Sequence, residues 1–218
     1  MARYINSNIL FQAYVHIDAP FEKIQENDSI KEDLDEFISD RARHFLYPEV
    51  DVDLEFKEGS IKTYATVRGT LRKCLRDNYE DFVSEIEHLY WFAKRLSDAS
   101  NMEVAFLTGA FLGSIERTEA RPGIIGQTKR IIDGILSIVN IDNDKKASAT
   151  VRRFRVTKID FESLLKNLVD DEDKVLVKKE IALLLKTLPK KLSKENRVAE
   201  KIEIEYNDVF NNFNKLLN

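Results

Sequence analysis

The sequence predicts an α+β protein: a small antiparallel sheet packed on helices, followed by a helical C-terminal region. Three observations lead there. Residues 8–18 and 50–68 alternate apolar and polar side chains with a period of two, as strands with one buried face do. Most of the remaining chain repeats its apolar residues at helical spacing. Only 7 Gly and 4 Pro stand among 218 residues, too few turn formers for a many-stranded sandwich.

The first strand runs from Asn8 to Asp18. Ile9, Phe11, Ala13, Val15 and Ile17 share one face, and Leu10, Gln12, Tyr14, His16 and Asp18 share the other. Ser29 and Glu32 then form an S-x-x-E capping box, which satisfies free backbone donors at a helix start. Ile30, Leu34, Phe37, Ile38, Phe45 and Leu46 carry this helix to Pro48. A hairpin follows. Val50 to Phe56 alternates, Glu58-Gly59 supplies a tight turn, and a second strand covers Ser60 to Arg68. A two-residue loop pairs Phe56 with Ile61, Leu54 with Thr63, Val52 with Ala65 and Val50 with Val67. It also sets Glu55 against Lys62 and Glu49 against Arg68.

Gly69 ends the strand, and Thr70 to Arg76 predicts a short helix. Asp77 and Glu80 are placed to cap a longer one, with Tyr79, Phe82, Val83, Ile86, Leu89, Tyr90, Ala93 and Leu96 facing inward. Ser100 and Glu103 make another capping box, opening an apolar helix from Met102 to Ile115. Arg121-Pro122-Gly123 separates it from a helix carrying Ile131, Ile132, Ile135 and Leu136. The polar segment 140–148 marks a boundary. It divides an α+β part with central helices, 1–144, from a basic strand plus helices, 145–218, the two packed as one globular unit. Val151 to Ile159 is the expected fourth strand, with Phe154 and Val156 on one face and Arg153, Arg155 and Thr157 on the other. Helices near 161–169, 173–188 and 194–217 close the chain. The last presents Val198, Ile202, Tyr206, Val209, Phe213 and Leu216 as an amphipathic stripe, for packing on the body or on a partner helix.

Charge is unevenly spread. The net charge is −4, which leaves no global nucleic-acid footprint. Residues 1–58 hold 6 basic and 14 acidic side chains, whereas 119–158 hold 9 basic and 4 acidic. Cys74 is the single cysteine, so an internal disulfide and a cysteine-ligated zinc finger are excluded. Met1 to Asn6 shows no charged segment leading into an apolar one, and no stretch approaches the roughly 20 apolar residues that span a bilayer. The expectation is a cytoplasmic location, with membrane association disfavoured.

The chain lacks G-x-x-x-x-G-K, G-x-G-x-x-G, H-E-x-x-H and G-x-S-x-G. Its leading cluster is Arg152, Arg153, Arg155 and Lys158, with Lys145 and Lys146 upstream. Guanidinium forks bind phosphate bidentately, and the interleaved Phe154 is of a kind that stacks on bases. A short basic strand packed against the acidic front third of the chain, or contact with a protein partner, explains the run equally well. His16 and Asp18 form an H-x-D pair able to orient a general base or share a metal, which is also what a polar strand end looks like. Asp40 and His44 make an ordinary helical surface pair. Asp81, Glu85 and His88 suit a solvated helix face, and Cys74 suits a small core position. Gly109 and Gly113 form G-x-x-x-G, which lets two helices approach closely, within the fold or in self-association.

These readings favour an interaction or assembly protein, an adaptor or regulatory subunit, that needs no cofactor or metal and binds a protein partner or itself. Val198, Ile202, Val209 and Phe213, with Gly109 and Gly113, are its candidate contact residues. The alternative is nucleic-acid or nucleotide binding through 145–158. A third reading is an enzyme with a dispersed site near His16 and Asp18.

Overall fold

The computed structural model describes residues 8–18, 28–47, 49–57, 61–75, 81–138, 144–192 and 198–217. The chain forms two compact units, Met1–Gly126 and Gln127–Asn218. The division falls inside a helix, upstream of the polar segment at which the sequence suggests a boundary.

The first unit is built on a four-stranded antiparallel sheet. Its strands are β1 (Ile9–Ile17), β2 (Asp51–Lys57), β3 (Ile61–Arg68) and β4 (Ile115–Arg121), in the order β2-β3-β1-β4. Helix α1 (Asp28–Phe45) follows β1, and the four-residue α2 (Leu71–Cys74) follows β3. The long α3 (Phe82–Leu107) precedes β4. The apolar face of β1 seats the helices. Val15 and Ile17 pack with Ile61 of β3, Ile30 and Leu34 of α1, and Val104 and Ala105 of α3. This is the α+β class expected, with strands in the N-terminal part and helices alone at the C-terminus.

Several local expectations are corrected. The hairpin register is shifted by two residues: Phe56 faces Thr63, Leu54 faces Ala65, Val52 faces Val67 and Asp51 faces Arg68. Because strand side chains alternate, a shift of two preserves both faces, so hydrophobic pattern cannot distinguish the registers. The ion pairs re-sort accordingly. Arg68 meets Asp53 at 3.3 Å, and Glu49 reaches Lys73 at 3.1 Å. The Glu58-Gly59 turn lies outside the described residues. Helix α1 already includes Asp28, which puts Ser29 inside its first turn. Asp77 and Glu80 lie outside the described residues. Asp81 is the cap of α3, accepting from the backbone N–H groups of Val83 and Ser84.

Ser100 is not a cap. It lies within α3, where its hydroxyl donates to the Leu96 carbonyl at 2.8 Å, as Ser97 does to Ala93. A serine that satisfies itself on the preceding turn can stay buried in a helix interior. The helix ends at Leu107, not near Ile115, because Gly109 adopts φ +62°. The Gly109 N–H bonds the Phe106 carbonyl at 3.0 Å, and the Ala110 N–H bonds Ala105 at 2.9 Å. These two bonds are the Schellman closure, which requires a left-handed residue that glycine supplies without steric cost.

The fourth strand is Ile115–Arg121, not Val151 to Ile159. Its sequence, IERTEAR, has no apolar alternation, and it is held by register with β1: Gln12 faces Arg121, Tyr14 faces Glu119 and His16 faces Arg117.

The second unit is helical. It contains most of α4 (Gly123–Leu136), with α5 (Asp144–Asn167), α6 (Asp171–Leu185) and α7 (Glu200–Leu217). Residues 151–159 belong to α5. The apparent period of two is a fragment of a longer helical repeat, with Ala147, Val151, Phe154, Thr157, Phe161 and Leu164 all buried. Phe213 of α7 packs against Phe154 and Phe161, with ring centroids 5.6 and 5.2 Å apart, and Tyr206 packs on Phe154 at 5.8 Å. The segment between α6 and α7 is tied to α7 by polar bonds. The Tyr206 hydroxyl donates to the Pro189 carbonyl at 2.7 Å, and Glu203 accepts from the Leu192 N–H at 3.1 Å. Asp144 accepts from the Ala199 N–H at 2.7 Å, fixing the chain just before α7.

Two predictions follow from this packing. The Thr63 hydroxyl is buried against β1 and has no hydrogen-bond partner among the described residues. An unpaired buried hydroxyl costs about 1–3 kcal/mol, so Thr63→Val raises stability by about 1 kcal/mol, read as a melting-temperature rise of roughly 2–8 °C. Burial, with the Glu203 carboxylate nearby, pushes the Tyr206 phenol up to about 12. A phenol pKa raised by folding contributes stability that is complete below the unfolded value, near 10, and is lost as pH rises towards 12. Chemical denaturation between those pH values shows a slope of at most about 1.4 kcal/mol per pH unit from this group. Tyr206→Phe removes that slope and lowers neutral-pH stability by about 1 kcal/mol.

Candidate functional site

The basic segment is helical, and helical geometry sorts its side chains. At 100° per residue, Arg152, Val156 and Ile159 fall within about a 60° arc opposite the buried stripe, and Arg153 and Arg155 flank them. Arg152, Arg153 and Arg155 are exposed, and Val156 and Ile159 are 52% and 55% exposed. The whole of α5 carries seven basic and three acidic residues.

The four proposed anion-binding side chains are not equivalent. Lys158 is half-buried and bound to Glu162 one turn on, at 2.7 Å. Arg155 lies 3.7 Å from Glu205 of α7. Among the described residues, Arg152 and Arg153 make no hydrogen bond or ion pair, which leaves two guanidinium forks on one exposed surface. Lys145 and Lys146 are also exposed, in the first turn of the same helix. Phe154 is fully buried among Tyr206 and Phe213 and so is turned away from these cations. The aromatic that the sequence suggests for base stacking is a core residue.

The C-terminal stripe is used inside the second unit. Val198, Tyr206, Val209 and Phe213 are buried, and Ile202 is half-buried. Gly109 and Gly113 do not join two helices. Gly109 lies just beyond α3 and Gly113 lies in the single turn 112–114, and a Cβ at either would meet nothing within 4 Å. The close approach expected of a glycine occurs at Gly134 instead, where a Cβ would collide with Thr157 Oγ1 on α5.

The H-x-D pair is not assembled. His16 Nδ1 meets Glu116 Oε2 of β4 at 2.8 Å, while Asp18 falls beyond the end of β1, exposed, with its N–H on the Ser114 carbonyl. Cys74 is buried, its thiol 3.4 Å from the Thr70 carbonyl. Glu85 is buried and His88 exposed, so these two do not share the solvated face expected of them. Asp40 and His44 are both exposed on α1. Among the described residues, no group of three or more potential metal ligands gathers, and no helix is long and apolar enough to cross a membrane.

The polar face of the sheet carries a ladder that pattern alone does not reveal. The Arg121 guanidinium lies over the Tyr14 ring, Tyr14 packs on Tyr64 at 4.7 Å, and Lys57 Nζ lies 4.7 Å over the Tyr64 ring. One rung comes from each strand. Gln12 links the next row, donating to Thr66 Oγ1 and accepting from Arg121, both at 2.9 Å. Glu119 binds both Arg117 and Arg121. Burial, with Tyr64 alongside, holds the Tyr14 hydroxyl above the usual phenol range.

Sequence reasoning also missed three exposed apolar side chains at the far end of α3. Met102, Phe106 and Phe111 are 58%, 77% and 83% exposed, although the sequence places them in a mostly apolar helix. Comparison of the chain with known protein families, curated proteins and solved structures gives no match.

Filling the Gly134 contact overpacks the α4–α5 approach. Gly134→Ala lowers stability by about 1–3 kcal/mol in denaturant melts, whereas Gly113→Ala, in open space, changes it by less than about 1 kcal/mol.

Proposed function

We propose that this chain is an interaction protein, an adaptor or regulatory subunit, that binds an acidic protein partner along the exposed face of α5. The observation that carries this reading is the juxtaposition of Arg152 and Arg153 with the exposed Val156 and Ile159. Apolar side chains flanked by arginines match a partner helix with an apolar stripe and acidic margins. Each charge-assisted bond from a guanidinium to a carboxylate is worth about 1.5–3 kcal/mol when partly desolvated, more than the 0–1 kcal/mol of an exposed pair. The burial of Phe154 weighs against nucleic acid, since an interface without an accessible aromatic loses about 1–3 kcal/mol of stacking per base.

The test is fluorescence anisotropy with two labelled probes, an acidic amphipathic helical peptide and a single-stranded oligonucleotide of similar charge. The peptide binds more tightly. Its affinity falls at least tenfold in Arg152→Glu/Arg153→Glu and about as much in Val156→Asp/Ile159→Asp. Tighter binding of the oligonucleotide, lost with the two arginines but indifferent to Val156 and Ile159, transfers the function to nucleic acid.

A further inference from the structure

Helices α1 and α3 cover one face of the sheet, where Val15, Ile17 and Ile61 meet them. The other face is ordered in transverse rows, because the three strand registers set one residue from each strand side by side. One row reads Arg117, His16, Lys62 and Lys57, from β4 across β1 and β3 to β2. It holds no carboxylate. The next row, two residues along each strand, sets Tyr14 beside Tyr64 at its centre, with Glu119 and Glu55 at its ends. Like charges directly opposite on neighbouring strands are destabilising, so Lys57 against Lys62 weakens the sheet that carries it. Among the described residues, Lys62 makes no hydrogen bond or ion pair. Lys57 lies over the Tyr64 ring and meets Glu55 at 3.3 Å, both partners being exposed. An exposed pair of this kind is weak, so Lys57 is able to exchange it for another anion and uncover the ring.

We propose that this face of the sheet binds single-stranded nucleic acid, with phosphates along the Arg117–Lys62–Lys57 row and a base stacked on Tyr64. Tyr14 is buried and backs the half-buried Tyr64, which makes Tyr64 the platform. Two features select this ligand. Neighbouring strands lie about 4.8 Å apart, so the cationic row spans roughly 14 Å, more than one phosphate group fills and enough for successive phosphates of a chain. The aromatic row lies roughly 6.8 Å further along the strands, on the order of the reach from a phosphate across its sugar to the base. An anionic chain with a flat ring beside each charge is a nucleic acid, whereas an acidic peptide has no such ring to offer Tyr64. Glu55 and Glu119 stand on the base side of the cations, where base edges present amino donors. Bases within a duplex are stacked on one another, so an aromatic platform favours the single strand. The inference is independent of the basic face of α5, which lies in the other unit.

The experiment is fluorescence anisotropy of the full chain with a labelled oligouridylate of about ten nucleotides, over a series of salt concentrations. The oligonucleotide binds, and the logarithm of its affinity falls against that of salt with a slope of about −2, as three phosphate contacts on a single strand give. Lys62→Glu weakens binding at least tenfold and flattens the slope. It keeps the wild-type circular dichroism, since it sets a carboxylate opposite Lys57. Tyr64→Ala weakens binding about tenfold, whereas Tyr64→Phe, which keeps the ring, binds as the wild type does. Arg152→Glu/Arg153→Glu leaves the affinity unchanged. A wild type that does not bind overturns the inference, as does binding indifferent to either Lys62→Glu or Tyr64→Ala. Inorganic polyphosphate that competes as well as unlabelled oligouridylate also overturns it, because it shows a polyanion site that reads no base. Loss of binding with the two α5 arginines alone overturns it too, and moves the nucleic acid to α5.

Discussion

The first unit is organised by a single strand. β1 lies between β3 and β4 and donates its odd-numbered face to both long helices. Val15 and Ile17 meet α1 and α3, while Tyr14 and His16 meet residues of β3 and β4 on the other side. Slipping β1 by one residue exchanges these sets, turning Gln12, Tyr14 and His16 towards the helices and five apolar side chains away from them. The polar ladder reinforces this register. Arg121, Tyr14, Tyr64 and Lys57 stack only when β4, β1, β3 and β2 are aligned as they are. Each such contact is modest, about 0.5–1 kcal/mol for an exposed cation over a ring, yet all of them depend on the same alignment.

The second unit depends on aromatic packing between α5 and α7. Phe154 and Phe161 on one helix and Tyr206 and Phe213 on the other lie within ring-contact distance. This fixes which face of α5 is left outside. With Phe154 committed inward, the arginines on either side of it in sequence are turned outward, and Val156 and Ile159 go with them. The binding surface proposed for α5 is thus a consequence of the core, since a helix that buries one stripe presents the opposite one.

The glycines show how one residue type serves different physical needs. A G-x-x-x-G spacing suggests close helix contact, but Gly109 is needed for its positive φ. That conformation ends α3 and leaves Phe106 and Phe111 exposed on either side of the turn. The close contact is made at Gly134, against Thr157, where no spacing motif announces it. Similarly, β4 was illegible because an edge strand of charged residues is held by cross-strand partners, not by its own pattern.

What the sequence alone determined is everything carried by local periodicity: the α+β class, β1, α1, the β2–β3 hairpin and the amphipathic character of the last helix. Period-two and period-3.6 patterns are properties of neighbouring residues, so they survive without tertiary information. The tertiary structure alone decided the two-residue register of the hairpin, the existence of β4, the continuity of α3 through Ser100 and the helical state of 151–159. It also decided the direction in which each candidate contact residue points. Those outcomes rest on partners distant in the chain: β1 for Arg117 to Arg121, α7 for Phe154, the core for Ala110. A short basic run with one aromatic fits a strand or a helix equally well until the ring finds its neighbours, and only then is it settled which charges face solvent.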